Sequence, residues 1–415
     1  MMLRFTYTLL TGIFFIYGLF AQERNVKYYI DQALTNSPLL IDYQNQILSN
    51  RIDSMRIGAG LGPQVNFISN NIYAPTINGW GYDEVITDQS NIGAMVSVSK
   101  ELKSRANRQN QYEALQWQNR SITNSRKISE QDLIKSVIEQ YITTYGLWQQ
   151  FLNDNDIIGM LRKEDIILRK LTEKGVYLQT EYLTFLGTVQ QKELELLQTK
   201  IQYKSSFFAL NYLCGISDTA VLHLSEPDIE MAFIPKPEKS VFYQQFITDS
   251  LKLVTVDKQI DFEYQPKASV SIDAGYLSSF LVQPEKNFGA SIGLNFSVPI
   301  YDGHQRKMQH DKIRIAEQTL LNYSEFYKIQ YQQQIRQLME QLEGNRLVEE
   351  QTANQIRYAQ SLINANHKLI ETGEVRISDY ILAINNLMTL KGMLVQNNLD
   401  KYRIINQINY WSRQK

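Results

Sequence analysis

Phe288-Gly-Ala-Ser-Ile-Gly-Leu-Asn-Phe-Ser-Val298 alternates without a break. Phe288, Ala290, Ile292, Leu294, Phe296 and Val298 are apolar; Gly289, Ser291, Gly293, Asn295 and Ser297 between them are small or polar. Successive side chains of a strand point to opposite faces, so this segment has one greasy face and one small, polar face. Its length suits a tilted strand that crosses a bilayer. Pro299 follows at once, and a proline-free helical pattern runs from there to the C-terminus. A bilayer-length strand feeding a very long helix narrows the fold sharply.

The chain has 415 residues, room for more than one ordinary domain. A net charge of -1 gives no pull toward nucleic acid. The 25 tyrosines suit interfacial belts as well as packed cores. A single cysteine, Cys214, excludes an intrachain disulfide and a Cys-based zinc site, and reads as a small buried apolar group. Arg4, the apolar run Phe5 to Ala21 and polar Gln22-Glu23-Arg24 make residues 1–21 a signal peptide. No other segment approaches the length of an apolar transmembrane helix, so strands must place the mature chain in any membrane it occupies.

The nine prolines punctuate the chain, with none between 76 and 226 and none after 299. Both deserts read as long helices. In the second, Leu321, Ile335, Leu342, Ile356, Ile363 and Ile370 share a seven-residue register interrupted by Lys328 and Glu349, a coiled-coil seam with polar breaks.

Lys170-Leu-Thr-Glu-Lys-Gly175 matches Lys368-Leu-Ile-Glu-Thr-Gly373 at an offset of 198 residues, and Thr180, Glu181 and Tyr182 match Ser378, Asp379 and Tyr380. The chain therefore reads as an internal duplication: a first repeat over 22–214, a linker over 215–240 with Pro227, Pro235 and Pro237, and a second repeat over 241–415. Each half should hold an opening helix (29–58; 241–264), a Pro, two strands, a long helix (100–172; 303–371), a Gly turn and a return helix (178–213; 377–413). Ala268, Val270, Ile272, Ala274 and Tyr276 oppose Ser269, Ser271, Asp273 and Gly275; Ile92, Ala94, Val96 and Val98 oppose Gly93, Met95, Ser97 and Ser99; residues 64–77 alternate least regularly.

Four strands cannot close a transmembrane barrel, whose smallest usual form has about eight. An open edge in lipid leaves backbone groups unsatisfied at several kcal/mol each, so chains must share the barrel. Two chains would supply about eight strands and three about twelve. A helix of about 70 residues is roughly 100 Å long, and the opening and return helices of its half, end to end, match it. The expected class is thus α+β: long helical hairpins, tipped by Gly175 and Gly373, beside strands that need other chains.

The sequence Phe296-Ser-Val-Pro-Ile-Tyr-Asp-Gly303-His-Gln-Arg306, the paired Gly turns with an acid six residues on, and Ala33-Leu-Thr-Asn-Ser-Pro38-Leu together resemble the TolC-like outer membrane efflux family over nearly the whole mature chain. Pro299 stands where that family closes its strand, and Asp302-Gly303 where it opens the helix. The resemblance implies a homotrimer with a twelve-stranded barrel in outer membrane lipid and a helical tunnel in the periplasm. It implies a passive exit duct, with no enzymatic activity and no cofactor, that docks a periplasmic adaptor (a membrane fusion protein) and an inner-membrane pump of RND or ABC type. The first-half junction, Val98-Ser-Lys-Glu-Leu-Lys, departs from the pattern, lacking both the Pro and the Asp-Gly.

In the family, acids at the positions of Glu181 and Asp379 lie near the periplasmic mouth and help to close it. On a threefold axis they would form negative rings that favour cations. Arg376 and Lys174 at the same turns would pair with them, and Tyr177 would join that contact. The plainer expectation is that Thr180 and Ser378 are N-caps and the acids complement the helix dipoles by about 0.3–1 kcal/mol. Gly58-Ala-Gly-Leu-Gly62-Pro63 resembles a phosphate loop but lacks the Lys-Ser/Thr and reads as a helix-to-strand break. His223, His304, His310 and His367 make no ligand pair on one helix face, so no metal site is expected. Trp80 and Tyr82 fall in the first inter-strand loop, as an exposed aromatic element or as ordinary loop packing.

Overall fold

The computed structural model describes residues 24–75, 77–82, 90–279 and 283–413; residues 1–21, read from the sequence as a signal peptide, lie outside them. In chain order the elements are α1 (Val26–Asn36), α2 (Pro38–Gly60), β1 (Gln64–Tyr73), β2 (Ser90–Leu102), α3 (Arg105–Glu173), α4 (Gln179–Leu213), α5 (Val241–Glu263), β3 (Lys267–Ser278), β4 (Phe288–Ser297), α6 (Gln305–Thr372) and α7 (Ile377–Ser412). The order helix, two strands, long helix, return helix occurs in both halves. One expected helix is in fact two: Ser37 stands as N-cap and Pro38 starts α2, because proline supplies no amide for α1 to continue. The Gly58–Pro63 segment ends α2 and leads into β1, as the sequence suggests.

The chain packs into two compact units, and both draw on the two sequence halves. One unit contains residues up to Thr35, Val137–Ile229 and Asn345–Arg403; the other contains Asn36–Ser136, Glu230–Gly344 and the C-terminal segment from Ile404.

The second unit holds a four-stranded antiparallel sheet in the order β1-β2-β3-β4. β2 and β3 are neighbours although two helices separate them in sequence, while β1 and β4 each have one neighbour and one open edge. The register puts Ala268, Val270, Ile272, Ala274 and Tyr276 opposite Phe296, Leu294, Ile292, Ala290 and Phe288. Val96 and Val98 face Ala274 and Ile272 across the central pair. Directly opposed residues share a face, so the apolar sets merge into one surface. That surface is the more exposed one: Val96 is 46% accessible and Ile272 51%, whereas Ser97 on the polar face is 6% accessible. A water-soluble sheet buries its apolar face, and this one leaves it exposed.

β4 stops at Ser297, so Val298, expected to continue the lipid-facing row, lies beyond the strand. β2, with no proline to stop it, runs on through Lys100 and Glu101 to Leu102, which pairs with Ala268. The long helix therefore starts at Arg105, later than expected. Gly275 lets the central strands close: a Cβ there would lie 2.2 Å from the Ala94 carbonyl oxygen.

In the first unit, Ile157, Leu161 and Leu168 of α3, Phe185 of α4, Ile363 and Ile370 of α6, and Tyr380 and Leu387 of α7 form one buried cluster. The expected seam of α6 holds at its C-terminal end, where Ile363 and Ile370 are buried, but not at its start, where Leu321 is 58% exposed. A second buried row lies three residues on: Ser324, Tyr331, Leu338, Asn345, Thr352, Ala359 and Asn366. That row is mostly small or polar, which hides it from a hydrophobic count. Asn345 and Asn397 satisfy each other there, each amide donating to the partner's carbonyl, at 2.8 and 3.1 Å.

Candidate functional site

The junction below β4 is built as its residues dictate. Gly303 has φ of +64°, a conformation that favours glycine, and His304 follows at +68°. The Asp302 carboxylate then accepts the amides of His304 and Arg306, both at 2.8 Å, and closes the first turn of α6. Those amides, the Arg306 one first, hold its carboxyl below the usual range. Arg306 also bonds Asp261 at 2.6 Å, and His310 lies between Asp257, at 2.6 Å, and Asp261, at 3.1 Å. The junction is thus tied to the end of α5. Above the sheet, Asn78 and Gly79, both with positive φ, turn the chain between bridged Ile77 and Trp80. Trp80 and Tyr82 are 85% and 71% exposed, so loop packing does not account for them.

The two hairpin tips are alike. Gly175 and Gly373 both have φ of +77°. In each, the amide after the glycine reaches back to a helix carbonyl: Val176 to Leu171 at 2.9 Å and Glu374 to Leu369 at 3.0 Å. The glycine amides bond Thr172 and Ile370. These paired bonds satisfy the last carbonyls of α3 and α6 and stop both helices.

Tyr177 is where the structure differs most from expectation. Its side chain is buried, and its hydroxyl donates to the Ile370 carbonyl at 3.1 Å or the Val375 carbonyl at 2.9 Å. It therefore ties the first tip to the second within one chain. Val176 reinforces the tie, since a Cβ on Gly373 would sit 2.7 Å from its Cγ1. Burial, then the Glu181 carboxylate, raises the Tyr177 hydroxyl above its ordinary range.

Thr180 and Ser378 are not caps. α4 begins at Gln179 with Leu178 as N-cap, and α7 begins at Ile377. Leu178 has no side-chain acceptor, so only half of a capping box forms: the Glu181 carboxylate accepts the Leu178 amide at 3.2 Å. Asp379 occupies the first turn of α7 and is exposed. Lys174 and Arg376 are exposed too, and among the described residues neither makes an ion pair with an acid of its own chain.

Two further acids in this unit escaped sequence reading. Glu164 is 5% exposed and meets Nδ1 of His367 at 2.6 Å, a contact between α3 and α6. Burial first, and then this carboxylate, pushes the Tyr380 hydroxyl up. Asp154, 6% exposed, accepts from Gln150 at 2.7 Å and Thr199 at 3.0 Å, yet burial still raises its pKa. On helices rich in solvated charge, no spacing marks such acids as buried. Cys214 is buried as expected, its thiol pushed up to about 12.

A four-stranded sheet with an exposed apolar face, joined to paired helical hairpins, is a fold this chain shares with solved outer membrane channels. Among solved structures, the chain superposes on CusC, described in a study of folding and transmembrane channel formation, with TM-score 0.77, 12% identity and 95% and 93% of the two chains covered. It matches the outer membrane protein VceC of Vibrio cholerae at TM-score 0.76 and 13% identity, over 95% and 97% of the chains. It matches the CmeC outer membrane channel of Campylobacter jejuni at TM-score 0.73 and 13% identity, over 94% and 85%. At these identities the likeness is one of fold. No protein-family profile and no curated protein matches the sequence.

Proposed function

We propose that this chain is one protomer of a homotrimeric channel in the bacterial outer membrane. The trimer serves as the passive exit duct of a tripartite efflux or export system. Three sheets, joined β4 to β1, close a twelve-stranded barrel, and the hairpins continue it as a periplasmic tunnel. A periplasmic adaptor and an inner-membrane pump of RND or ABC type supply cargo and energy; drugs, metal ions, glycans and, as in type I secretion, proteins are the cargo classes such a duct can carry. The chain arose by duplication of a half-channel repeat, and the segment before Gln22 directs its export. The protein contributes shape, a polar lumen and a gated inner end, with Glu181 and Asp379 forming acidic rings and Arg376 and Lys174 pairing with acids of neighbouring chains.

The observation that carries this reading is the sheet: two open edges and an exposed apolar face. In lipid such edges must be paired. The test is electrophoresis and bilayer conductance of the full-length protein from outer-membrane fractions. Heat-modifiable trimers and single-channel steps are expected, with cation selectivity reduced when Glu181 and Asp379 are both changed to Ala. A monomer that fractionates with the periplasm would sink the channel; unchanged selectivity would remove the acid rings alone.

A further inference from the structure

In the unit that contains Val137–Ile229, the strap following α4 lies back over α3 and α4 and leaves a half-open cavity of about 280 Å³. Four rings wall it. Trp148 lies at its centre, 4.2 Å from His223, 5.3 Å from Tyr203 and 5.4 Å from Phe151, the last nearly parallel at 21°. The strap is pinned in place: the Tyr203 hydroxyl donates to the Leu222 carbonyl, and the Tyr141 hydroxyl to the Ser225 carbonyl at 2.8 Å. The cavity is therefore formed before anything enters it, and little ordering remains for a ligand to supply.

The charged groups of its lining are Lys200 and Lys204, one turn apart on α4. Both are exposed, and among the described residues neither has a carboxylate partner. Those two charges decide the ligand class. Bare aromatic walls attract cations, but two ammonium groups at the rim repel them and hold out hydrogen-bond donors to an anion. We propose that this cavity binds an organic anion with a flat apolar body. The body lies against the ring cluster of Trp148, Phe151, Tyr203 and His223, and the acid group sits between Lys200 and Lys204. None of these residues has a part in the sheet, the junction or the tips, so the proposal is independent of the channel reading.

The test uses the purified full-length protein in mild detergent, titrated calorimetrically with naphthalene-2-sulfonate. A saturable site, one per chain, is expected, with affinity falling as sodium chloride is raised. Naphthalene-2-methanol, neutral and of like shape, should bind about tenfold more weakly. A naphthylmethyl-trimethylammonium cation should not bind. Changing Lys200 and Lys204 together to Gln should weaken the sulfonate by about tenfold or more. Equal binding of the neutral compound, or no saturable site, would overturn the proposal on the wild-type protein alone, whether or not the double variant folds. An unchanged affinity in a folded double variant would overturn it as well.

Discussion

Tyr177 shows how one hydroxyl sets the mechanics of a tip. It reaches two carbonyls of the other hairpin; Ile370 also accepts the Gly373 amide, so the Val375 carbonyl is the one that loses its partner without it. Tyr177→Phe should cost about 1–2 kcal/mol, the range for losing buried hydrogen bonds. Hydrogen exchange reads this locally: the Gly373 and Glu374 amides should exchange faster, while those of the distant β3 stay unchanged. Unaltered exchange at the tip would mean that Val176 packing alone holds it.

His310 gives a second residue-scale outcome, in pH. Its hydrogen bond to Asp257, with help from Asp261, raises its pKa above the ordinary 6.5. Arg306 shares Asp261, and Asp302 lies on the same junction. A raised folded-state pKa means that the contribution to stability is complete below 6.5 and is lost as pH rises through the folded value. Thermal unfolding followed from acid to mildly alkaline pH should show this decline, and His310→Gln should flatten it. A variant that keeps the wild-type slope would assign the decline to other groups.

At the scale of elements, much of the sheet was legible because its alternation is strict. The faces of β4 follow from Phe288, Ile292 and Leu294 against Gly289, Ser291 and Gly293, and the register confirms their alignment with β3. What was not legible came from residues whose role depends on a neighbour elsewhere in the chain. The second buried row of α6 was missed because Asn345 and Thr352 are polar and become core only when paired or packed, whereas Ile363 and Ile370 of the apolar register are buried as read. β2 was read short because its end is set by pairing with Ala268, with no proline of its own to mark it.

Gly275 is the sharpest case of a role fixed by a neighbour. Its alternation is ordinary, yet a methyl group there would meet Ala94 and Met95 backbone. Gly275→Ala should part β2 from β3 at a cost of about 1–3 kcal/mol or more, as overpacking does. Gly289→Ala, with nothing within 4 Å, is the matched control. Resistance of the assembled protein to heat in dodecyl sulfate should fall for the first variant and hold for the second; equal behaviour would show that the strands can yield.

For the whole molecule, sequence and structure divide the work differently. The Gly175 and Gly373 turns and the Asp302-Gly303 junction were readable, because a glycine at positive φ and an acid ahead of a helix are local necessities. The partition into two compact units was not, since both draw on segments far apart in sequence. Nor was the Tyr177 tie, whose acceptors lie nearly 200 residues away and are backbone atoms that carry no sequence signature.

The open edges of the sheet reach into genetics. If each ring needs three chains, one chain that cannot offer a sound β1 or β4 spoils the two good copies beside it. With a normal and a defective allele expressed equally, only about one ring in eight escapes. Lesions at the edge strands should then be dominant. Lesions that prevent the chain from folding at all never enter a ring, and these should be recessive.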